Sequence, residues 1–332
     1  MPKITTYDFI DSNTRKTALL MVLFPISLAA LIYIALLILG AAHSADTTAN
    51  AAKLSPVMFA NEIAIYAIPV ISAAAILWVI ISYFFGQNFI LSAAGAVELT
   101  KNNSPEVIRI VENIALTSGL PMPKVYAIND EGLNAFATGR DPKHSYIALT
   151  KGIINKLDKP ELEGVIAHEM AHIGNRDIKL MLITVVCISF ATIAAEILLR
   201  VALSKGRSSS KNKGQAQLLF LALALVFYIY GYFVAPLIKL ALSRTREYQA
   251  DATAALITRN PQGLASALRK ISENSTVEKL KDKETVAAMC IETPLSKEKQ
   301  NSLFSKISGL YSTHPPIEKR IKALMEMDGQ RT

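Results

Sequence analysis

From Thr17 to Ala42 the chain carries no charged residue. Crossing a bilayer as a helix takes about 20 mostly apolar residues, so this run has the length of a span, and Arg15 and Lys16 stand at its start. Ile63 to Val97 is likewise uncharged. A span is expected there from Ile63 to about Phe85, with Gly86 bending the chain into an interfacial helix. Gly214 to Ile238 is a further uncharged run, closed by Lys239, Arg244 and Arg246. A shorter one lies between Lys179 and Glu196 and reaches Arg200 if Glu196 is accommodated; Glu196 and Arg200, four apart, can pair on one helix face near a membrane edge. The expectation is four membrane helices. Composition agrees: 19% of residues are charged, against about 25% in soluble domains, and 51% are hydrophobic. A disordered chain and an ordinary soluble enzyme are both excluded.

The 35 Lys and Arg outnumber the 27 Asp and Glu. No basic cluster is interleaved with stacking aromatics, so nucleic acid is not an expected partner; cations flanking apolar runs point to the lipid bilayer. Lys3, Arg15 and Lys16 precede the first span, and Lys53 is the only cation between the first two. The positive-inside rule therefore places the N-terminus, and the chain after the second span, in the cytoplasm. Lys205, Arg207, Lys211 and Lys213 run against that rule, because this topology puts their loop outside. No glycine-rich phosphate loop is present, so no nucleotide is expected. Two cysteines, Cys187 and Cys290, exclude a disulfide framework and a cysteine-only zinc cluster.

The aqueous chemistry has two stretches to live in, about 86–178 and 240–332. Ser104-Pro105-Glu106 opens a helix that Gly119 closes. Strands are expected at Val125 to Ile128, Asn134 to Gly139 and Tyr146 to Leu149. Asp158-Lys159-Pro160-Glu161 reads as a capping box for a helix ending near Gly174. The expected organisation is a membrane anchor over 1–86, the first half of a catalytic domain over 87–178, a transmembrane hairpin over 179–240 and the second half over 241–332.

The helix from Asp158 to Gly174 contains His168-Glu169-Met170-Ala171-His172. Two histidines at i and i+4 share one helical face, close enough for both imidazoles to bind one zinc ion. Glu169 lies about 100° round, beside the metal, where it can take a proton from the attacking water. A catalytic zinc needs a third protein ligand and an open position. Glu247 is well placed for it: two consecutive crossings return the chain to the side it left, so the HExxH helix and the segment after the last span meet at one face. Asp251, four residues on, can hold a ligand histidine by its second nitrogen. Arg246 is open to an oxyanion, an ion-pair or a lipid-headgroup role, and Asp177 to orienting the site or capping the next span.

These residues resemble the HtpX-type membrane zinc metalloproteases, relatives of the eukaryotic CAAX prenyl proteases. The motifs that carry the resemblance are Asn134–Gly139, the block from His168 to Asp177, Ser243-Arg244-x-x-Glu247-Tyr248-x-Ala250-Asp251 and Ser312-Thr313-His314-Pro315-Pro316. The resemblance implies His168, His172 and Glu247 as ligands of one zinc ion per chain, Glu169 as general base and Asp251 behind a ligand histidine. It implies that Asn134, Ala135 and Phe136 belong to an edge strand that takes an extended substrate, and that His314 donates to the oxyanion. The implied fold is α+β and mainly helical, a gluzincin-like zincin domain on about four transmembrane helices. The implied function is endopeptidase cleavage of misfolded or damaged membrane proteins in the stress response, at the cytoplasmic face of a bacterial inner membrane. The alternatives are a processing protease for one membrane precursor and a non-proteolytic zinc scaffold. Self-cleavage and homo-oligomerisation are further relations the chain can have with itself.

Overall fold

The computed structural model describes residues 6–46, 55–204, 217–218, 220–231, 244–277, 289–291 and 315–329. His314 and the cationic loop from Lys205 to Lys213 lie outside the described residues. The elements are α1 (Thr6–Asp46), α2 (Pro56–Ala93), β1 (Ala96–Leu99), α3 (Pro105–Ser118), β2 (Lys124–Ile128), β3 (Ala135–Asp141), β4 (His144–Thr150), α4 (Lys151–Lys156), α5 (Lys159–Gly174), α6 (Asp177–Leu203), α7 (Phe220–Gly231), α8 (Arg244–Thr258), α9 (Pro261–Glu273) and α10 (Ile317–Gly329). The chain is mainly helical with one small sheet.

Among the described residues, three helices are long and apolar enough to cross a bilayer: Ile10–Ala41 of α1, α2 and α6. Within the run from Gly214 to Ile238, the described part forms α7, a shorter apolar helix. Helix α2 continues through Gly86, where a bend is expected from the sequence. One mid-helix glycine costs only about 1 kcal/mol, too little to break a helix that runs from Pro56 to Ala93. Pro25 and Pro69 also lie inside helices, as membrane helices tolerate.

The chain divides into two compact units. One holds Ala18–Ser82 and Val186–Pro236. Its helices are tied by aromatic packing around Phe190, whose ring meets Phe24 edge-on at 5.7 Å and lies 6.1 Å from Trp78. Polar groups inside it are paired: Trp78 Nε1 donates to Val186 O, and Ser27 Oγ lies 2.6 Å from the Tyr230 hydroxyl. Large apolar side chains such as Ile26, Ile65 and Val70 face outward, which suits lipid.

The other unit holds Met1–Thr17, Tyr83–Val185 and Leu237–Thr332. Its sheet has the order β1-β2-β4-β3, with β2 and β4 parallel and the outer pairs antiparallel. The expected strands are present, and β1 and α4 are additional. Short β1 directly follows a long apolar run and its Val97 is exposed, so it has no alternation to announce it. The apolar faces of α3 and α5 close over the sheet with Val111, Ile147, Leu149, Val165 and Ile166 fully buried, and α9 adds Leu264 and Leu268. Ser104 stands at the α3 N-cap without a side-chain cap bond, Pro105 occupies N1, and Gly119 ends the helix at φ 69°.

Candidate metal centre

Asp158 and Glu161 form a complete capping box at the start of α5, each side chain accepting the other's backbone N–H. Glu161 reaches further, to Ser266 Oγ and Lys270 Nζ on α9 at 2.6 Å each. The start of α5 is thereby fixed in rotation against α9, and the rotation of α5 decides where its histidines point.

His168 and His172 follow one turn apart, and their rings stand nearly perpendicular with centroids 4.7 Å apart. Their Nε2 atoms approach to 3.2 Å. Glu247, in the first turn of α8, brings its carboxylate to 3.8 Å from His168 Nε2 and 3.6 Å from His172 Nε2. Two N or O ligands each about 2.0–2.2 Å from one tetrahedral ion stand roughly 3.3–3.5 Å apart. The three edges of 3.2, 3.6 and 3.8 Å bracket that separation, so the donor set fits a single four-coordinate cation.

Behind each imidazole stands a carboxylate. His168 Nδ1 lies 3.0 Å from Asp251 Oδ1, and His172 Nδ1 lies 3.0 Å from Asp177 Oδ2. A carboxylate on Nδ1 fixes the tautomer that leaves Nε2 free to ligate. Arg320 of α10, with no exposed surface, grips Asp251 from the other side: Nη2 reaches Oδ1 at 2.7 Å and Nε reaches Oδ2 at 2.8 Å. The same Nη2 is 3.4–3.5 Å from both ring nitrogens of His168, and Nη1 lies 3.6 Å from Glu247.

These charges set the protonation of the group. Burial would raise the Asp251 pKa, but the Arg320 guanidinium outweighs it and holds the carboxyl at about 2. Burial lowers the His168 pKa, and Arg320 and His172 add to that against the pull of Asp251. For His172 burial also lowers the pKa, but the bond to Asp177 and the charges of Glu247 and Glu169 raise it to about 9. One imidazole is thus kept neutral and its neighbour sits in a nest of carboxylates, an environment built for positive charge.

Glu169 lines a small pocket with His168, His172, Ala137, Met181 and Met289. Cys290 lines it too, and burial together with the Glu169 charge pushes its thiol pKa up, so it stays a neutral thiol. The pocket lies along β3. Thr150 N donates to Asn134 O, which places Phe136 and Thr138 at the β4-bonded positions and turns the backbone groups of Ala135 and Ala137 to the opposite side. On that side Ile291 N donates to Ala135 O at 2.9 Å, and Ile291 O accepts from Arg320 Nη1.

The structure therefore brings together His168, His172, Glu247, Glu169 and Asp251. Glu247 and Asp251 are both fully buried. Arg246 is buried as well and pairs with Asp177 at 3.4 Å, an ion-pair role. Asp177 both opens α6 and orients His172. Asn134 is engaged within the chain, donating from Nδ2 to Ser275 O and accepting from Ala135 N. Phe136 is fully buried. Arg320 was not anticipated. Its only signal in the sequence is a basic residue on the helix that opens after Pro315-Pro316, beside the exposed Lys319 and Glu318.

Residues 101–328 match peptidase family M48. Among curated relatives, the protease HtpX homolog of Bacteroides fragilis (strain YCH46) is 40% identical over 313 residues, covering 94% of this chain and 95% of that protein. The protease HtpX homolog of Lactobacillus helveticus is 38% identical over 326 residues, covering 97% and 99%. A crystal structure of S. mikatae Ste24p aligns over 74% of this chain and 57% of its own, with 19% identity and a TM-score of 0.43. The chain belongs to peptidase family M48, and with the bilayer-length apolar helices among its described residues it is a membrane metalloprotease.

Proposed function

We propose that the chain is a zinc endopeptidase, with one zinc ion held by His168, His172 and Glu247. The observation that carries this is the convergence of those three donors beside the buried Glu169. Two imidazoles and one carboxylate are a donor set zinc takes in hydrolytic sites. Bound there, zinc polarises the scissile carbonyl and makes a water molecule acidic enough to attack it near neutral pH. Glu169 takes the proton of the attacking water and passes it to the leaving amine nitrogen, serving as base and then acid. Asp251 and Asp177 hold the two imidazoles in the ligating tautomer throughout.

The substrates we infer are unfolded or damaged membrane proteins. An extended peptide adding to β3 is bound through its main chain, which reads little side-chain detail. Such a peptide competes with Ile291 for the Ala135 carbonyl, and past that point it runs by Ala137 into the pocket of Glu169. The distribution of Lys and Arg around the first two spans supports a cytoplasmic-membrane location with the site facing the cytoplasm.

The test is degradation of an unfolded model protein by the detergent-purified chain, stripped of metal, restored with zinc, and carrying Glu169→Gln. Zinc-dependent cleavage at many positions, lost in the variant with zinc still bound, is the expected result. Cleavage at a single position of one membrane precursor would favour a processing role. Zinc binding with no cleavage of any substrate would overturn the proteolytic reading.

A further inference from the structure

The first apolar helix does more than anchor the chain. Asn13, near the start of α1, is 1% exposed. An amide in so dry a place costs several kcal/mol unless it is hydrogen-bonded, so its bonds show why it is there. Nδ2 donates to Asn175 O at 2.9 Å and to Asp177 Oδ1 at 2.7 Å. Asn175 and Asp177 flank the corner between α5 and α6, where Arg176 adopts φ 59°, a left-handed conformation uncommon for a residue with a side chain. One amide group thus bridges both sides of a strained corner. The short bond to Asp177 is also a charge-assisted one, the stronger kind.

The consequence reaches the metal centre. Asp177 has two oxygens. Oδ1 accepts from Asn13 and faces Arg246 Nη1 at 3.4 Å, and Oδ2 meets His172 Nδ1 at 3.0 Å. With Oδ1 held, the carboxylate plane is fixed and Oδ2 is aimed at the imidazole. A carboxylate behind a metal-ligating histidine orients the ring and raises its basicity. We propose that Asn13 is a positioning residue for the metal centre, acting on His172 through Asp177, so that the N-terminal helix forms part of the site it anchors. This rests on reading His168, His172 and Glu247 as the metal ligands.

The test measures zinc affinity rather than turnover, using the full chain in detergent, in a Glu169→Gln background, with a chromophoric chelator as competitor. Changing a direct outer partner of a ligand typically costs 10–100-fold in metal affinity, and Asn13 stands one bond further out, so Asn13→Ala should weaken zinc by about 3–10-fold. Asn13→Asp is nearly isosteric but sets a carboxylate against Asp177, and it should cost more than Asn13→Ala. Asp177→Ala removes the carboxylate that Asn13 aims, so in an Asp177→Ala background Asn13→Ala should cost no further affinity. A packing role would cost the same in both backgrounds, and the same comparison made with Asn13→Asp keeps the test decisive if Asn13→Ala fails to fold. Thr14→Ala, on the exposed face of the same helix, should leave affinity unchanged. The proposal is overturned if Asn13→Ala binds zinc within twofold of its parent, or if the cost of the Asn13 change is undiminished in the Asp177→Ala background. If the parent itself binds no zinc at one per chain, the metal-site reading fails, and the proposal with it.

Discussion

Replacing Arg320 by methionine should be among the most damaging single changes in the catalytic unit, and its cost can be worked from the contacts. The guanidinium has no exposed surface and holds both oxygens of the buried Asp251 at 2.7 and 2.8 Å, with a third bond to Ile291 O at 3.3 Å. Methionine fills much of the space of the stem but leaves the Asp251 carboxylate in a dry site without its countercharge. Removing one partner of a buried ion pair costs about 3–5 kcal/mol. For a domain of roughly 150–250 residues, 1 kcal/mol moves the melting temperature by about 2–4 °C, so a fall of about 6–20 °C is expected. The chain supplies its own reporter. With Cys187→Ser, the buried Cys290 next to Ile291 is the remaining thiol, and its labelling by a thiol reagent during a melt, with chelator present, reports opening of this region. The reasoning makes a second demand. If the cost comes from a stranded charge, adding Asp251→Asn to Arg320→Met should recover part of the stability. A fall below about 3 °C, or a double variant worse than Arg320→Met by the full cost of Asp251→Asn, would refute it.

Two further outcomes follow from the same packing. Asp251 has a folded pKa of about 2 against an ordinary carboxyl value of 3.8, so its stabilisation is complete above about pH 4 and lost as pH falls through about 2. That difference is worth about 2 kcal/mol, and acid melts of the chain should lose this part of their pH dependence in Asp251→Asn. Gly164 lies where α5 meets α9, and a Cβ there would stand 2.8 Å from Leu264 N and 2.9 Å from its Cα. Gly164→Ala should therefore destabilise the chain by about 1–3 kcal/mol despite the better helix propensity of alanine. Gly174→Ala meets only the movable end of the Leu120 side chain at 3.2 Å, and the same denaturation assay should find it much milder.

What could be read in advance is what is written at helical spacing. His168 and His172 stand four apart, as do Glu247 and Asp251, and a helix turns each such pair to one face. The capping box at Asp158 and Glu161 fixes where α5 begins, so the phase of the histidine face follows from local sequence. The pairing of the two halves also follows from the order of the apolar runs. Element boundaries were harder where apolar character runs on without punctuation. Helix α2 passes through Gly86, and β1 emerges just after the same apolar stretch, because hydrophobicity alone does not distinguish a continuing helix from a short edge strand.

The groups that escaped are those whose partners lie far away in the chain. Arg320 reaches Asp251 across 69 positions and His168 across 152, and Asn13 reaches Asp177 across 164. No periodicity encodes such pairs. Yet each left a physical trace. A guanidinium or an amide buried among apolar neighbours is unfavourable unless something specific satisfies it, so its presence there demands a partner. Asn13 lies just ahead of Arg15 and Lys16, on the flank of an uncharged run, where it reads as part of a polar headgroup border. The structure shows that on this flank one face of the helix is dry and turned to the α5–α6 corner: Asn13 and Thr17 are buried while Thr14, Arg15 and Lys16 are exposed. Spacing of four between two small polar residues, with charges on the other faces, is the pattern of a helix end packed on protein rather than on lipid headgroups. Read that way, the border of the first span already marks where the anchor joins the machinery that holds the metal.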